Sequence, residues 1–141
     1  DLRAGAVKAL AAAGLSVGVF ASPVLPGLND SKRSLDAVAR AAWAAGAQRF
    51  GAQPLFLKPS AARVFLPWIS KEFPPLARAY QEHFSRNAYL RGPWVDRLRE
   101  TVAELREKYG LAGRGAFPPG APVQIALFED PSPQADPNGG N

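Results

Sequence analysis

The 141-residue chain has no cysteine, no methionine and a single histidine. Without cysteine there is no disulfide framework and no thiolate-held metal or cluster within these residues. Methionine is missing even from position 1, which is Asp1. Gene products begin with methionine, so the expectation is a processed or truncated piece of a longer protein. No apolar run reaches the length of a bilayer span and no signal-peptide pattern opens the chain, so a cytoplasmic location is expected. Nor is there a dense block of one charge. The net charge of +5 is spread along the chain with acidic residues interleaved, and residues 116–141 carry −3. Such an excess favours polyanions only weakly. Twelve of the seventeen basic residues are arginine and alanine is frequent, which reads as GC-rich coding bias. No paired carboxylates, Ser/His/Asp set or glycine-rich phosphate loop rises above chance.

What is present is an alternation of helical and strand patterns. Residues 2–13 carry Leu2, Ala6, Val7, Leu10 and Ala13 at the spacing of one buried helix face, and Gly14 is placed to end the helix. Leu15 to Ala21 read as a short strand apolar on both faces, as in parallel sheets covered by helices. Asp30 or Ser31 can cap a helix running to about Ala45, with Leu35, Val38, Ala39, Ala42 and Trp43 facing inward and Gly46 closing it. Residues 47–57 form a second strand region. The order helix, strand, helix, strand points to β/α units with parallel strands.

Beyond Pro59 the pattern becomes helical. A short helix over 60–69 meets Pro67, which is expected to kink or shorten it. Another helix starts at Pro74 and Pro75. A third, over 94–109, carries Trp94, Leu98, Val102, Leu105 and Tyr109 in one stripe, with Glu104 and Lys108 as an i,i+4 pair. From Gly113 onward glycine and proline dominate. The division is therefore 1–59 (β/α units), 60–112 (a helical extension) and 113–141 (a Pro/Gly-rich tail). Residues 121–128 form a short strand or docking segment, and the rest of the tail is largely disordered.

The stretch "VGVFASPVLPGLND", residues 17–30, ends a strand abruptly at two prolines and a glycine. Ligands of parallel β/α sheets bind at the carboxyl ends of strands, and a rigid turn poor in side chains suits a flat ligand read by main-chain atoms. The same residues are also ordinary turn chemistry.

The strand ending in Pro-Val-x-Pro-Gly-x-Asn-Asp, then "LFLKP", a Phe-x-x-Trp helix, "EFP" and "YLRGPWVDRLRETVAELREKYGL" stand in a definite order over residues 1–111. In that order they resemble the carboxy-terminal half of radical S-adenosylmethionine proteins of the spore photoproduct lyase-related, DNA repair photolyase-like group. The resemblance implies the last two strands of a partial β/α (TIM-like) barrel with a helical extension. It implies S-adenosylmethionine and a 4Fe-4S cluster as cofactors of the parent enzyme. A Cys-x3-Cys-x2-Cys loop would hold the cluster, and a 5′-deoxyadenosyl radical would do lyase or oxidoreductase-type chemistry. That loop is absent here, so the chain alone is expected to be inactive and to depend on the missing amino-terminal half of the same protein. The implied adenosyl contacts are Ser22, Pro23, Val24, Leu25, Pro26 and Gly27 at one strand end, and Gln53, Pro54 and Leu55 at the other. Many relatives have Gly where this chain has Val24. Asn29 and Asp30 are assigned to capping the next helix. No residue is assigned as catalytic or metal-ligating.

Other residues carry weaker signals. His83 reads as a surface or packed residue, Trp43, Trp68 and Trp94 as core, and Lys58 as a solvated loop lysine. Arg86, Arg91, Arg97 and Arg99 lie near one turn, with Asp96 and Glu100 among them as in a salt-bridged surface. They keep open an alternative, a basic nucleic-acid-binding module. A part of an unrelated β/α barrel enzyme is a third reading.

Overall fold

A computed structural model describes residues 2–113. The expectations for 121–128 and for the tail past Gly113 lie outside the described residues. The elements are α1 (Leu2–Ala12), β1 (Gly18–Val24), α2 (Lys32–Ala44), β2 (Arg49–Pro54), α3 (Pro59–Glu72), α4 (Pro74–Phe84) and α5 (Pro93–Tyr109). The two strands pair in parallel through α2, with Gly18 opposite Arg49 and Phe20 opposite Gly51. The described residues are thus α/β, with five helices and a two-stranded parallel sheet.

β1 begins and ends about three residues later than the pattern suggests, so Ser22 and Pro23 belong to the strand. Pro23 cannot donate to a ladder. It is accommodated because the register breaks between Ala21 and Val24, where no ladder bond is required of it. Val19 and Ala21 of β1, with Phe50 and Ala52 of β2, pack against Leu35, Ala39 and Ala42 of α2 and Leu98, Val102 and Leu105 of α5. α5 therefore closes the sheet core, although in sequence it belongs to the helical extension. A second core joins Leu55 and Leu57 to Ala62, Ile69, Tyr80 and Phe84 of α3 and α4.

Several inward-facing expectations are corrected. α1 buries no residue, and Leu2 is 94% exposed. Val38 and Trp43 also lie exposed on α2, because α1 makes only a slight contact with that helix and covers neither. Trp68 is exposed as well, stacked near Phe65 and Phe73 at the surface. α3 runs through Pro67 to Glu72. Pro67 and Arg63 both lie on the exposed side of the helix, so the Arg63 carbonyl that loses its N–H partner can turn to water.

The Glu104–Lys108 pair is replaced by two bridges between helices. Lys32 of α2 binds Glu104 of α5, and Lys108 Nζ donates to Asp36 Oδ1 at 2.6 Å. Tyr109 O–H also donates to Asp36, at 3.0 Å. The Lys108 hydrogen bond, helped by that of Tyr109, holds the Asp36 carboxyl below its ordinary value of 3.8. A lowered carboxyl stabilises the fold above its unfolded value, and this contribution is lost as pH falls through the folded value. Asp36→Asn is expected to lower the urea midpoint at neutral pH and to flatten its decline below about pH 4, as urea titrations across acid pH would measure.

Candidate functional site

The end of β1 and the turn after it are held by their own side chains. Asn29 Oδ1 accepts from the Leu25 N–H at 2.7 Å, and Asn29 Nδ2 donates to the Pro23 carbonyl at 3.2 Å. Asp30 Oδ1 accepts from the Gly27 N–H at 2.9 Å. The carboxamide and carboxylate thus reach back over the turn. The cap of α2 is Ser31, one of the two caps the sequence offered, whose Oγ accepts from Ser34 N–H at 3.1 Å, while Asn29 and Asp30 serve the turn instead of capping. This follows from Gly27, whose φ of +77° turns its N–H toward the Asp30 carboxylate.

Two long-range contacts complete the turn. Trp94 Nε1 of α5 donates to Asp30 Oδ2 at 2.8 Å, and Tyr80 O–H of α4 donates to the Pro26 carbonyl at 2.9 Å. Burial, aided by the Asp30 charge, pushes the Tyr80 phenol up to about 12, so it stays a donor throughout the neutral range. Gly27 also sits where a Cβ would come within 3.0 Å of Leu76 Cδ2. Gly27→Ala combines that contact with a left-handed backbone, and we expect a loss of about 1–2 kcal/mol, read from urea midpoints.

The structure places six of the nine expected contact residues in two separate cavities, and Leu25, Pro26 and Gly27 in neither. Ser22, Pro23 and Val24 line a cavity of about 340 Å³ between β1, α1 and α2, which Arg3, Asn29 and Ser34 also border. Gln53, Pro54 and Leu55 line a separate groove of about 520 Å³ beside α5. The two strand ends touch where Val24 meets Pro54 and Leu55 N–H donates to the Val24 carbonyl at 2.9 Å. Leu25 packs into the second core with Leu28 and Leu76. The main-chain N–H groups of Leu25 and Gly27 are taken by Asn29 and Asp30, and the Pro26 carbonyl by Tyr80. Of the first strand end, Ser22, Pro23 and Gly27 are exposed, and of these Ser22 and Pro23 line the cavity.

The sheet face opposite the helices carries a pair that strand periodicity alone did not single out. The Phe20 ring lies over Gly51, where a Cβ would come within 2.5 Å of the ring, and Phe20 is 70% exposed. The signal was a glycine in a strand directly opposite an aromatic residue, visible only once the register is known. The two edges of the sheet also differ. β2 is covered on its far side by Leu111 and Ala112, through Phe50 N–H to the Leu111 carbonyl at 3.1 Å and an Arg49–Ala112 bridge. β1 has no second neighbour among the described residues.

The remaining singled-out residues are placed simply. His83 Nε2–H donates to the Tyr89 carbonyl at 3.0 Å. Lys58 is exposed at the start of α3. Arg99 pairs with Asp96 at 3.2 Å, as a salt-bridged surface predicts. Phe56 and Tyr89 stack with ring centroids 4.3 Å apart at the mouth of the larger groove, beside Arg99 and Arg106. Among the described residues no group of acidic, histidine or cysteine side chains is set to hold a metal, and no helix is long and apolar enough to cross a membrane.

Comparison with known proteins gives relatives of no stated function. The chain is 38% identical over 132 residues to proteins described as uncharacterized from Mycobacterium tuberculosis and Mycobacterium bovis. The match takes in 89% of this chain but 39% of each relative, so the chain spans about two fifths of the length of the curated relatives it matches. No family model matches, and no solved structure matches.

Proposed function

We propose that these residues are the carboxy-terminal part of a radical S-adenosylmethionine enzyme built on a partial β/α barrel, and that they form one wall of its adenosyl pocket. The observation that carries this reading is the asymmetry of the sheet. Among the described residues β2 ends the sheet on one side, while β1 has an edge with no partner, with the exposed Phe20 and the uncovered α1 beside it. An unpaired edge beside exposed apolar side chains is what remains when a neighbouring strand is missing. The ordered motifs from Pro23 to Leu111 and the greater length of the mycobacterial relatives support the same reading.

The residues fit the two implied cofactors unequally. A 4Fe-4S cluster needs thiolates, and the chain has no cysteine, so its ligands belong to another part of the protein. The adenosyl group fits better. Ser22 and Pro23 present small, exposed surface at the cavity, and Gln53 stands exposed at the adjacent strand end. When bound, the cofactor pair supplies a hydrogen-abstracting adenosyl radical. This chain's residues orient the nucleoside and exclude water, and without the cluster part they are inactive.

The test is the coding sequence upstream of Asp1, followed by assay of the encoded protein. A Cys-x3-Cys-x2-Cys loop in frame, and 5′-deoxyadenosine formed from S-adenosylmethionine by the anaerobically reconstituted protein, are the expected results. An in-frame start without cysteines removes the reading. The nucleic-acid alternative is favoured by the Phe56–Tyr89 stack beside Arg99 and Arg106. It requires salt-dependent binding of a single-stranded oligonucleotide by this chain alone, lost in Tyr89→Ala.

A further inference from the structure

Two polar groups from distant helices end on one short turn. Tyr80 is nearly fully buried at 4% exposure, yet its hydroxyl finds the Pro26 carbonyl, and Trp94 aims its indole N–H at Asp30. A phenylalanine would fill the Tyr80 space with the same apolar contact and part of the Trp94 space. What the hydroxyl and the indole nitrogen add is a fixed direction toward residues 26–30. The local bonds of Asn29 and Asp30 are exposed, so water competes for them. The Trp94 and Tyr80 bonds are partly shielded, and the former is to a charged acceptor, which makes them the stronger constraint.

We propose that Tyr80 and Trp94 are positioning residues. They hold the strand-end turn at residues 23–27 in its ligand-facing shape, Tyr80 directly at Pro26 and Trp94 through the Asp30 carboxylate. The proposal rests on the reading of that turn as the adenosyl contact. The helical extension then sets cofactor affinity: if α4 or α5 shifts, Pro26 and Asp30 shift with it, and Ser22 and Pro23 lose their backing. Neither side chain needs to touch the ligand.

The experiment compares Tyr80→Phe and Trp94→Phe in the full gene product that carries these residues, with Trp43→Phe as a control at an exposed tryptophan. Amide hydrogen exchange of a peptide covering residues 22–30 and the dissociation constant for S-adenosylmethionine are measured on each. Both variants are expected to speed exchange in that peptide by about ten-fold while β2 keeps its protection. They are also expected to weaken S-adenosylmethionine binding by a similar factor with the saturated rate unchanged. Trp43→Phe is expected to change neither. Unaltered exchange in both variants overturns the proposal. So does faster exchange with unaltered affinity in a protein that binds the cofactor. Faster exchange in a protein whose unsubstituted form binds no S-adenosylmethionine upholds the clamp and overturns the adenosyl reading instead.

Discussion

Phe50→Ala is expected to remove most of the stability of this chain. Phe50 is 1% exposed near the start of β2, where it packs with α2 and α5 in the sheet core. Truncating a buried phenylalanine costs about 3–5 kcal/mol, part for lost transfer energy and part for the cavity. Domains of ordinary size hold roughly 5–15 kcal/mol in all, and a sheet of two strands with one bare edge belongs near the lower end. The main chain at Phe50 also ties in the last helix. Its N–H reaches the Leu111 carbonyl, and its carbonyl accepts from Arg106 Nε at 2.6 Å. Collapse of the site therefore loosens α5, and with it the Trp94–Asp30 bond. A urea titration should show the midpoint falling to a small fraction of the original value. Ile69→Ala gives the contrast. Ile69 is also fully buried, but in the second core between α3 and α4. Its cost of about 2–5 kcal/mol should be felt first in exchange of α3 and α4, with β2 following later. Equal and simultaneous loss in both cores would mean that they unfold as one unit.

The helices and their ends were legible because the signals are local. Gly14, Gly46 and Gly110 all take positive φ at or just past the end of a helix, and α5 keeps the stripe of Leu98, Val102 and Leu105. Which apolar face is covered was not legible, because coverage depends on tertiary neighbours. The pattern of α1 is that of a buried helix, and the pattern of Leu15 to Ala21 is that of a doubly covered strand. Yet among the described residues α1 buries no residue and β1 is covered on the face of Val19 and Ala21 while Phe20 stays exposed, because burial is a property of neighbours and not of periodicity. The partnering of Lys32 with Glu104 and of Lys108 with Asp36 was hidden for the same reason: an i,i+4 rule sees one helix, and α2 against α5 is a tertiary fact. At the site, the turn itself was plain in the sequence. That Asn29 and Asp30 reach back into it, and that Tyr80 and Trp94 close on it, depends on residues up to 64 positions apart.

On the proposed barrel reading, Phe20→Lys is expected to act in opposite directions in the isolated chain and in the longer protein of that reading. In the isolated chain Phe20 is largely exposed beside an unpaired strand edge, so the substitution removes apolar surface at the place most open to edge-to-edge association. Charged residues, lysine above all, blunt such edges. Sedimentation should show less self-association, with a stability change within about 1 kcal/mol. The contacts at risk include the ring over Gly51 and near Gly18. In a barrel the same face looks into the interior and Phe20 meets further strands. A lysine there buries an ammonium group without a partner, at a cost of several kcal/mol, and crowds the cavity beside Ser22 and Pro23. On that reading the longer protein should therefore lose several degrees of thermal stability. A lysine tolerated equally in both would mean that the face of Gly18, Phe20 and Ser22 stays in water in the longer protein too, and the barrel reading would lose its main support. Loss confined to the longer protein would place the missing strands on the edge that β1 leaves open.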